Sequence, residues 1–384
     1  MRSLGAILLM VVAGSCHGGS QSPASSDWER LLETTLKEYA RDGNAAKALA
    51  GVDEAIRLKP DAAGAHAARG GLLRALGRHS EALTSYDQAV KLEPGHLTAR
   101  TARGLMRMEL EQFAEAEADF AAIIEAAPGS PDGYLLRGWL ERRTGRFSEA
   151  ERDLAEARAR DPGRWEAYHN AGVAALDSKR WGDAERNFEI ALFFAPKAWT
   201  AWLGLARVRA ATGKTERALE DIDRAAAARP GESSIPYAKA EILRALGRFA
   251  EAARAYDRAL LLGAAPIMFV GRAQARAELG DLEGAEGDFA KALDLEPRLR
   301  EAFVARARMR AALKRYDEAQ EDFASALKLK ATAETVRDLG RLHQERERWA
   351  AAVSCFESAL KICTDEEMRA IIGRDLAGAR AQKK

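Results

Sequence analysis

The sequence predicts an all-α solenoid of ten helix–turn–helix units, closed by one further helix. Three observations carry that fold class. The stretch LGRHSEALTSYDQAVKLEP, Leu76 to Pro94, returns as LGRFAEAARAYDRALLLGA, Leu246 to Ala264, an offset of 170 residues or five steps of 34. Pro60, Pro94, Pro128, Pro162, Pro196 and Pro230 keep the same 34-residue step. Ala, Leu, Glu and Arg are abundant and β-branched runs are few, which favours helix throughout. With 47% apolar and 30% charged residues, the 384-residue chain suits a folded array rather than a disordered one.

The first residues stand apart from the array. One Arg in MRS, the apolar run LGAILLMVV and the small, polar AGSCHGGSQSPASS have the order of a secretory signal, too short to span a bilayer as a mature helix. Val12-Ala13-Gly14-Ser15-Cys16 resembles a bacterial lipobox, which makes Cys16 the expected lipidation site; the pattern's usual Leu is replaced by Ala13, and an ordinary cut after Ala13-x-Ser15 is the alternative. The expected layout is a signal at 1–15, a tether at 16–27, the array at 28–364 and a capping helix with tail at 365–384. Ser26-x-x-Glu29 reads as a capping box opening the first helix. In the last segment, Met368, Ile371, Ile372 and Leu376 fall on one side of a helix, as the end of a stack requires.

Within the array the proline count continues through Ala264, Pro297, Ala331 and Thr364, with two steps of 33. Twelve residues before every landmark stands an alanine, from Ala48 to Ala352. Five before it is alanine again except at Ile123, and eight before it is a large residue: Val52, Tyr86, Phe120, Leu154, Phe188, Ile222, Tyr256, Phe289, Phe323 or Phe356. Small residues let paired helices approach closely. Gly70, Gly104, Gly138, Gly172 and Gly340 are expected on first helices opposite the alanines, and the large residues in the wedge between units. Gly77, Gly145, Gly213, Gly247 and Gly280 are placed to end first helices in a left-handed conformation. Proline then blocks extension of each second helix. Over about 29–364 this pattern resembles the tetratricopeptide repeat, which implies a right-handed stack whose first helices line a concave groove.

Where that family commonly has Leu, this chain has Arg69, Arg103, Arg137, Arg272 and Arg306. Sixteen residues after four of them stand Asp119, Asp153, Asp288 and Asp322. The expectation is a structural ion pair joining the two helices of a unit: Arg103–Asp119, Arg137–Asp153, Arg272–Asp288 and Arg306–Asp322. Ala171 and Leu339 face Asn187 and Cys355 instead, and Arg69, Leu205 and Lys239 read as unpaired exceptions. Cys355 and Cys363 lie eight residues apart on one helix, about 12 Å along its axis. A disulfide needs Cα atoms within about 7 Å, so both read as small buried thiols.

Chemistry is sparse. The six histidines show no metal-ligand spacing, and no Cys-x-x-Cys, phosphate-cradling loop or nucleophile motif occurs. No enzyme activity, cofactor or metal is expected, and His66 and His79 read as packing residues. Fifty-nine basic against 58 acidic residues leave no field for nucleic acid; loss of 1–15 removes only Arg2 and balances the charges.

The resemblance implies which side chains face the groove: Leu105, Met108 and Glu109 in the third unit, then Leu135, Trp139, Arg142 and Arg143 in the fourth. His169, Val173 and Leu176 follow in the fifth, with Leu203 and Arg207 in the sixth. A Trp flanked by Arg has the composition of an interface hot spot; the alternative is Trp139 folded onto the fifth unit as core. Trp165 and Trp199 read as edge packing. The family's Lys/Asn clamp on a peptide carboxylate is disfavoured, since Asn170 is the only Asn on a first helix. The expected function is a non-catalytic scaffold that binds a protein or peptide partner of the bacterial cell envelope. Its membrane contact is expected through lipid at Cys16 alone, with His17 favouring the outer membrane and a periplasm-facing array. A self-assembling structural protein, or a non-catalytic subunit of an envelope enzyme or a secretion or pilus complex, is the alternative. Oligomeric state stays open.

Overall fold

The computed structural model describes residues 26–382. The signal segment, Cys16 and most of the tether lie outside the described residues. Among those described there are 21 helices and no strand. Ten pairs run α1 (Asp27–Asp42) with α2 (Ala45–Leu58), α3 (Ala63–Ala75) with α4 (His79–Leu92), and α5 (Leu97–Glu109) with α6 (Phe113–Ala126). Then come α7 (Asp132–Arg143) with α8 (Phe147–Arg160), α9 (Trp165–Asp177) with α10 (Trp181–Phe194), and α11 (Trp199–Ala211) with α12 (Thr215–Ala228). The last four are α13 (Ser234–Ala245) with α14 (Phe249–Leu262), α15 (Pro266–Glu278) with α16 (Leu282–Leu295), α17 (Arg300–Ala312) with α18 (Tyr316–Leu329), and α19 (Ala333–Glu345) with α20 (Trp349–Ile362). α21 (Glu366–Gln382) stands alone. The described residues divide between Pro196 and Lys197 into two compact blocks, each with its own cores.

Local rules set the ends of these helices. The Ser26 backbone N–H donates to Glu29 at 3.1 Å, the back half of the capping box. Gly77, with φ of 74°, ends the first helix of its unit, and the Arg78 N–H closes back on the Leu73 carbonyl at 2.9 Å. Four units put a side chain where others have glycine: Glu111, Lys179, Lys314 and Glu347 sit at φ of 59°, 57°, 59° and 55°. Each such residue costs on the order of 1 kcal/mol, offset by the same closing bond, as from the Gln112 N–H to the Arg107 carbonyl at 2.8 Å.

The first-helix glycines also make room for a larger neighbour. A Cβ on Gly104 would lie 2.5 Å from the Phe120 ring, on Gly70 2.6 Å from Tyr86, and on Gly172 2.9 Å from Phe188. Each glycine is a notch for the large residue of its own unit, and at Gly138 the expected alanine is there too, with the Ala150 carbonyl 3.4 Å from a Cβ placed on the glycine. Phe120 also belongs to a core that takes in Leu140 of the next unit, so the ring joins neighbours as well. Burying such a ring contributes about 3 kcal/mol. At the C-terminus, Ile372, Leu376 and Ala379 of α21 cover Phe356 and Val353 of α20 and Cys363 just after it. Cys363 is buried and Cys355 half-buried, both as free thiols.

All four expected Arg–Asp pairs form, each through two hydrogen bonds. They measure 3.0 and 2.5 Å for Arg103–Asp119 and 2.6 and 2.9 Å for Arg137–Asp153. For Arg272–Asp288 they are 2.8 and 2.6 Å, and for Arg306–Asp322 2.9 and 2.7 Å. The aspartates are buried, Asp119 and Asp288 at 1% exposure. Three units add a second arginine to the same aspartate: Arg107 at 2.9 Å, Arg276 at 2.8 Å and Arg310 at 2.9 Å. The network also crosses units, since Asp87 accepts from Arg103 at 2.9 Å and Asp257 from Arg272 at 2.6 Å. The exceptions read as unpaired are paired. Arg69 reaches Asp53 at 2.7 Å and Ser85 at 2.9 Å, Lys239 reaches Asp223 at 3.0 Å, and Arg209 serves Asp221 where Leu205 stands. A guanidinium is long enough to find acceptors in the preceding unit, which a single spacing rule does not count.

Candidate functional site

The expected groove residues of the first block divide between core and surface. Leu105, Met108 and Leu135 are buried at 7, 0 and 8% exposure and belong to the core. The reason is volume: Leu136, Trp139 and Leu140 on α7 close over Leu105 and Met108 on α5. Trp139 is half-buried in that contact, packed onto the core of the third unit. Arg142 spends one donor on Asp177 at 2.8 Å, and exposed Arg143 sits over the Phe113 ring at 5.6 Å. The His169 ring packs 5.9 Å from Trp165 and 5.7 Å from Phe188. Burial, helped by the charge of Arg142, pushes its pKa down to about 4, so it is neutral at pH 7. Val173 and Leu176 are half-buried.

In the second block, Leu203 joins the core at 7% exposure, while Arg207 is exposed. His66, read as packing, is half-buried with Nε2 2.8 Å from the Pro60 carbonyl, whereas His79 is exposed at the start of α4. Trp165 and Trp199 are both half-buried.

An open groove lies further along the chain. A cavity of about 240 Å³ runs across the first helices of the second block, lined by residues of α13, α15 and α17 and by Glu334 of α19. Its floor is small and apolar, with Val270, Gly271, Val304 and Ala305; Tyr237 and Ile267 stand at its sides. The polar lining is arginine and carboxylate in alternation. Glu241 accepts from the Tyr256 hydroxyl and from Arg244 at 3.0 Å. Arg300 donates to Glu301 at 2.9 Å and to the Thr335 hydroxyl at 3.2 Å, and Arg308 donates to Glu334 and Asp338, both at 2.7 Å. Burial pushes the Asp338 carboxyl up against the opposing pull of Arg308, and burial, then the charge of Glu241, raises the Tyr237 phenol. The Nε of Arg244 is buried with no partner. Such a lining offers donors and acceptors side by side above an apolar floor, the chemistry of a peptide's backbone and side chains.

These residues occupy the same register as the expected site. Trp139, Val173 and Arg207 continue by steps of 34, 33 and 34 to Glu241, Gln274 and Arg308; Leu135, His169 and Leu203 continue to Tyr237, Val270 and Val304. Counting on past the sixth unit was the signal that finds them. Among the described residues no His, Cys, Asp and Glu cluster has the makings of a metal site, and no helix is long and apolar enough to cross a membrane.

Tetratricopeptide repeat models match residues 36–92, 72–131, 135–185, 169–233, 237–298 and 332–365. The chain belongs to the tetratricopeptide repeat family. Members of this family serve as protein–protein interaction scaffolds, and such folds are in general non-catalytic. No curated protein sequence matches the chain. Among solved structures it is similar to a tetratricopeptide repeat protein from Parabacteroides merdae, at 19% identity and a TM-score of 0.54, over 67% of this chain and 98% of that one. It is also similar to a chain of the APC/C hetero-tetramer Cut9–Hcn1, at 16% identity and a TM-score of 0.52, over 97% of this chain and 89% of that one. At these identities the likeness is one of fold.

Proposed function

We propose that this tetratricopeptide repeat protein is a non-catalytic adaptor of the bacterial cell envelope that holds a peptide or helix of a partner protein in the groove of α13, α15 and α17. The observation that carries the proposal is the cavity itself, open in the register that the repeat assigns to partner contacts. Its volume of about 240 Å³ is below the ~300–1,000 Å³ of small-molecule sites and suits a few anchoring side chains. The envelope setting rests on the apolar run Leu4–Val12 and on Cys16 as the lipid-bearing residue, which would hold the array at the outer membrane facing the periplasm.

The test is capture from envelope extracts with wild type and with Gln274→Trp, which fills the groove. Loss of the captured partner in a folded Gln274→Trp, with capture kept in Arg143→Ala, is the expected result. Retention by a folded Gln274→Trp rules this groove out. Intact mass of the N-terminal fragment from native membranes tests the setting: acylated Cys16 is expected, a free terminus after Ser15 means a soluble exported scaffold, and uncut Met1 overturns export.

Self-assembly is a second reading, favoured by Leu261, Leu295 and Ile362, exposed at 79, 58 and 47% where second helices end. Light scattering across a concentration series decides it, since a constant monomer mass leaves it no support.

A further inference from the structure

One unit breaks the arginine pattern in a way that places a buried acid among charges. In the third, eighth and ninth units the residue four after the first arginine is a second arginine on the same aspartate: Arg107, Arg276 and Arg310. Four residues after Arg137 stands Glu141 instead. Asp153 therefore has Arg137 alone, and gains a carboxyl as neighbour. Glu141 is 5% exposed, and its Oε2 is buried with no hydrogen-bond partner.

Four charged groups face it: Arg137 from α7 itself, Asp153 from α8, Arg146 from the turn between them and Glu117 from α6. Both cations are already engaged. Arg137 gives Nε and Nη2 to Asp153 at 2.6 and 2.9 Å. Arg146 gives Nη1 and Nη2 to Glu117 at 3.0 and 2.8 Å, and Nε to the Thr144 hydroxyl at 3.1 Å. Three carboxyls thus share two committed guanidiniums, and Glu141 is the one left over. Neutral, it meets the cost of burying one polar oxygen; ionised, it is an unpaired buried charge beside another, which is far costlier.

We propose that Glu141 makes the fourth unit a proton-dependent joint: protonated, it lets α7 pack on α8 as in the sister units, and ionised, it loosens that pair. Burial first, and Asp153 second, hold the group near pH 7 against the ordinary 4.5, so the change falls in a range that an exported protein meets. The folded pKa is raised, so the folded state binds more protons between about 4.5 and about 7. Stability of this unit is full below that window and falls as pH rises through it. α7 also carries Trp139 and Arg142, so the loosening reaches the first-helix face of the first block.

The experiment is amide hydrogen exchange on the full chain at pH 5.5 and pH 8, corrected for intrinsic exchange, with α3 and α4 as internal reference. Wild type is expected to lose protection tenfold or more in α7 and α8 at pH 8 relative to the reference. Glu141→Gln is expected to flatten that difference, and Glu141→Arg to raise protection at both pH values by restoring the sister arrangement. A flat wild-type profile overturns the proposal whether or not the variants fold. So does a fall in Glu141→Gln equal to that of wild type.

Discussion

The first-helix faces of the two blocks use one register and fill it differently. In the first block, the positions aligned for partner contact hold Leu105, Met108, Leu135 and Trp139, and large side chains on α7 close over α5. In the second, the aligned positions hold Glu241, Gln274, Val304 and Arg308 over Gly271 and Ala305, and a cavity of about 240 Å³ remains. Register therefore decides which side chains face the neighbouring first helix. Side-chain volume decides whether that face is a core or a groove.

The comparison makes predictions, strongest first. Removing an aspartate of the arginine network should cost the same in both blocks, because that network is common to them. Asp119→Ala and Asp288→Ala each remove the buried acceptor shared by two arginines, leaving Arg103 and Arg272 only Asp87 and Asp257 of the preceding units, and should destabilise their blocks by about 3–5 kcal/mol, measured by urea unfolding. A large gap between the two would mean that the blocks differ in more than their grooves. Met108→Ala should cost about 2–5 kcal/mol, since a fully buried side chain leaves a cavity.

A third contrast is in pH. His169 is held neutral, with its pKa lowered from 6.5 to about 4, so its contribution is present above pH 6.5 and lost as pH falls toward 4. His169→Phe should remove a slope on the order of 2 kcal/mol across that window, opposite in sign to that of Glu141. An unchanged acid limb in the melting profile would show the ring to be solvated. The smallest effect belongs to the second block: Gln274→Ala, on an open face, should stay within about 0.5 kcal/mol. A cost near that of Met108→Ala would close the groove as a proposal.

Much of this was legible in the residues. Helix pairing, the left-handed glycines and four Arg–Asp pairs follow from spacing alone, because each depends on positions within one 34-residue step. The second arginines Arg107, Arg276 and Arg310 were also there to be read, four residues after the first, one helical turn along the same face. What spacing does not carry is occupancy. Whether Met108 is covered depends on the size of Trp139, one unit away, and whether Arg69 is paired depends on Asp53, one unit back. Both are properties of neighbours that a repeat alignment stacks in columns but does not weigh.

The glycine notches bear on how such a chain can be rearranged. Gly70, Gly104, Gly138, Gly172 and Gly340 each take the side chain that follows in the same unit. Segments cut between units therefore carry this lock and its key together. Gly271 is built the other way: the ring in its notch is Tyr256, from the unit before, whose hydroxyl is tied to Glu241. Exchange the eighth unit alone and the incoming helix meets a ring cut for someone else's gap. A graft of the eighth unit should therefore bring the seventh with it.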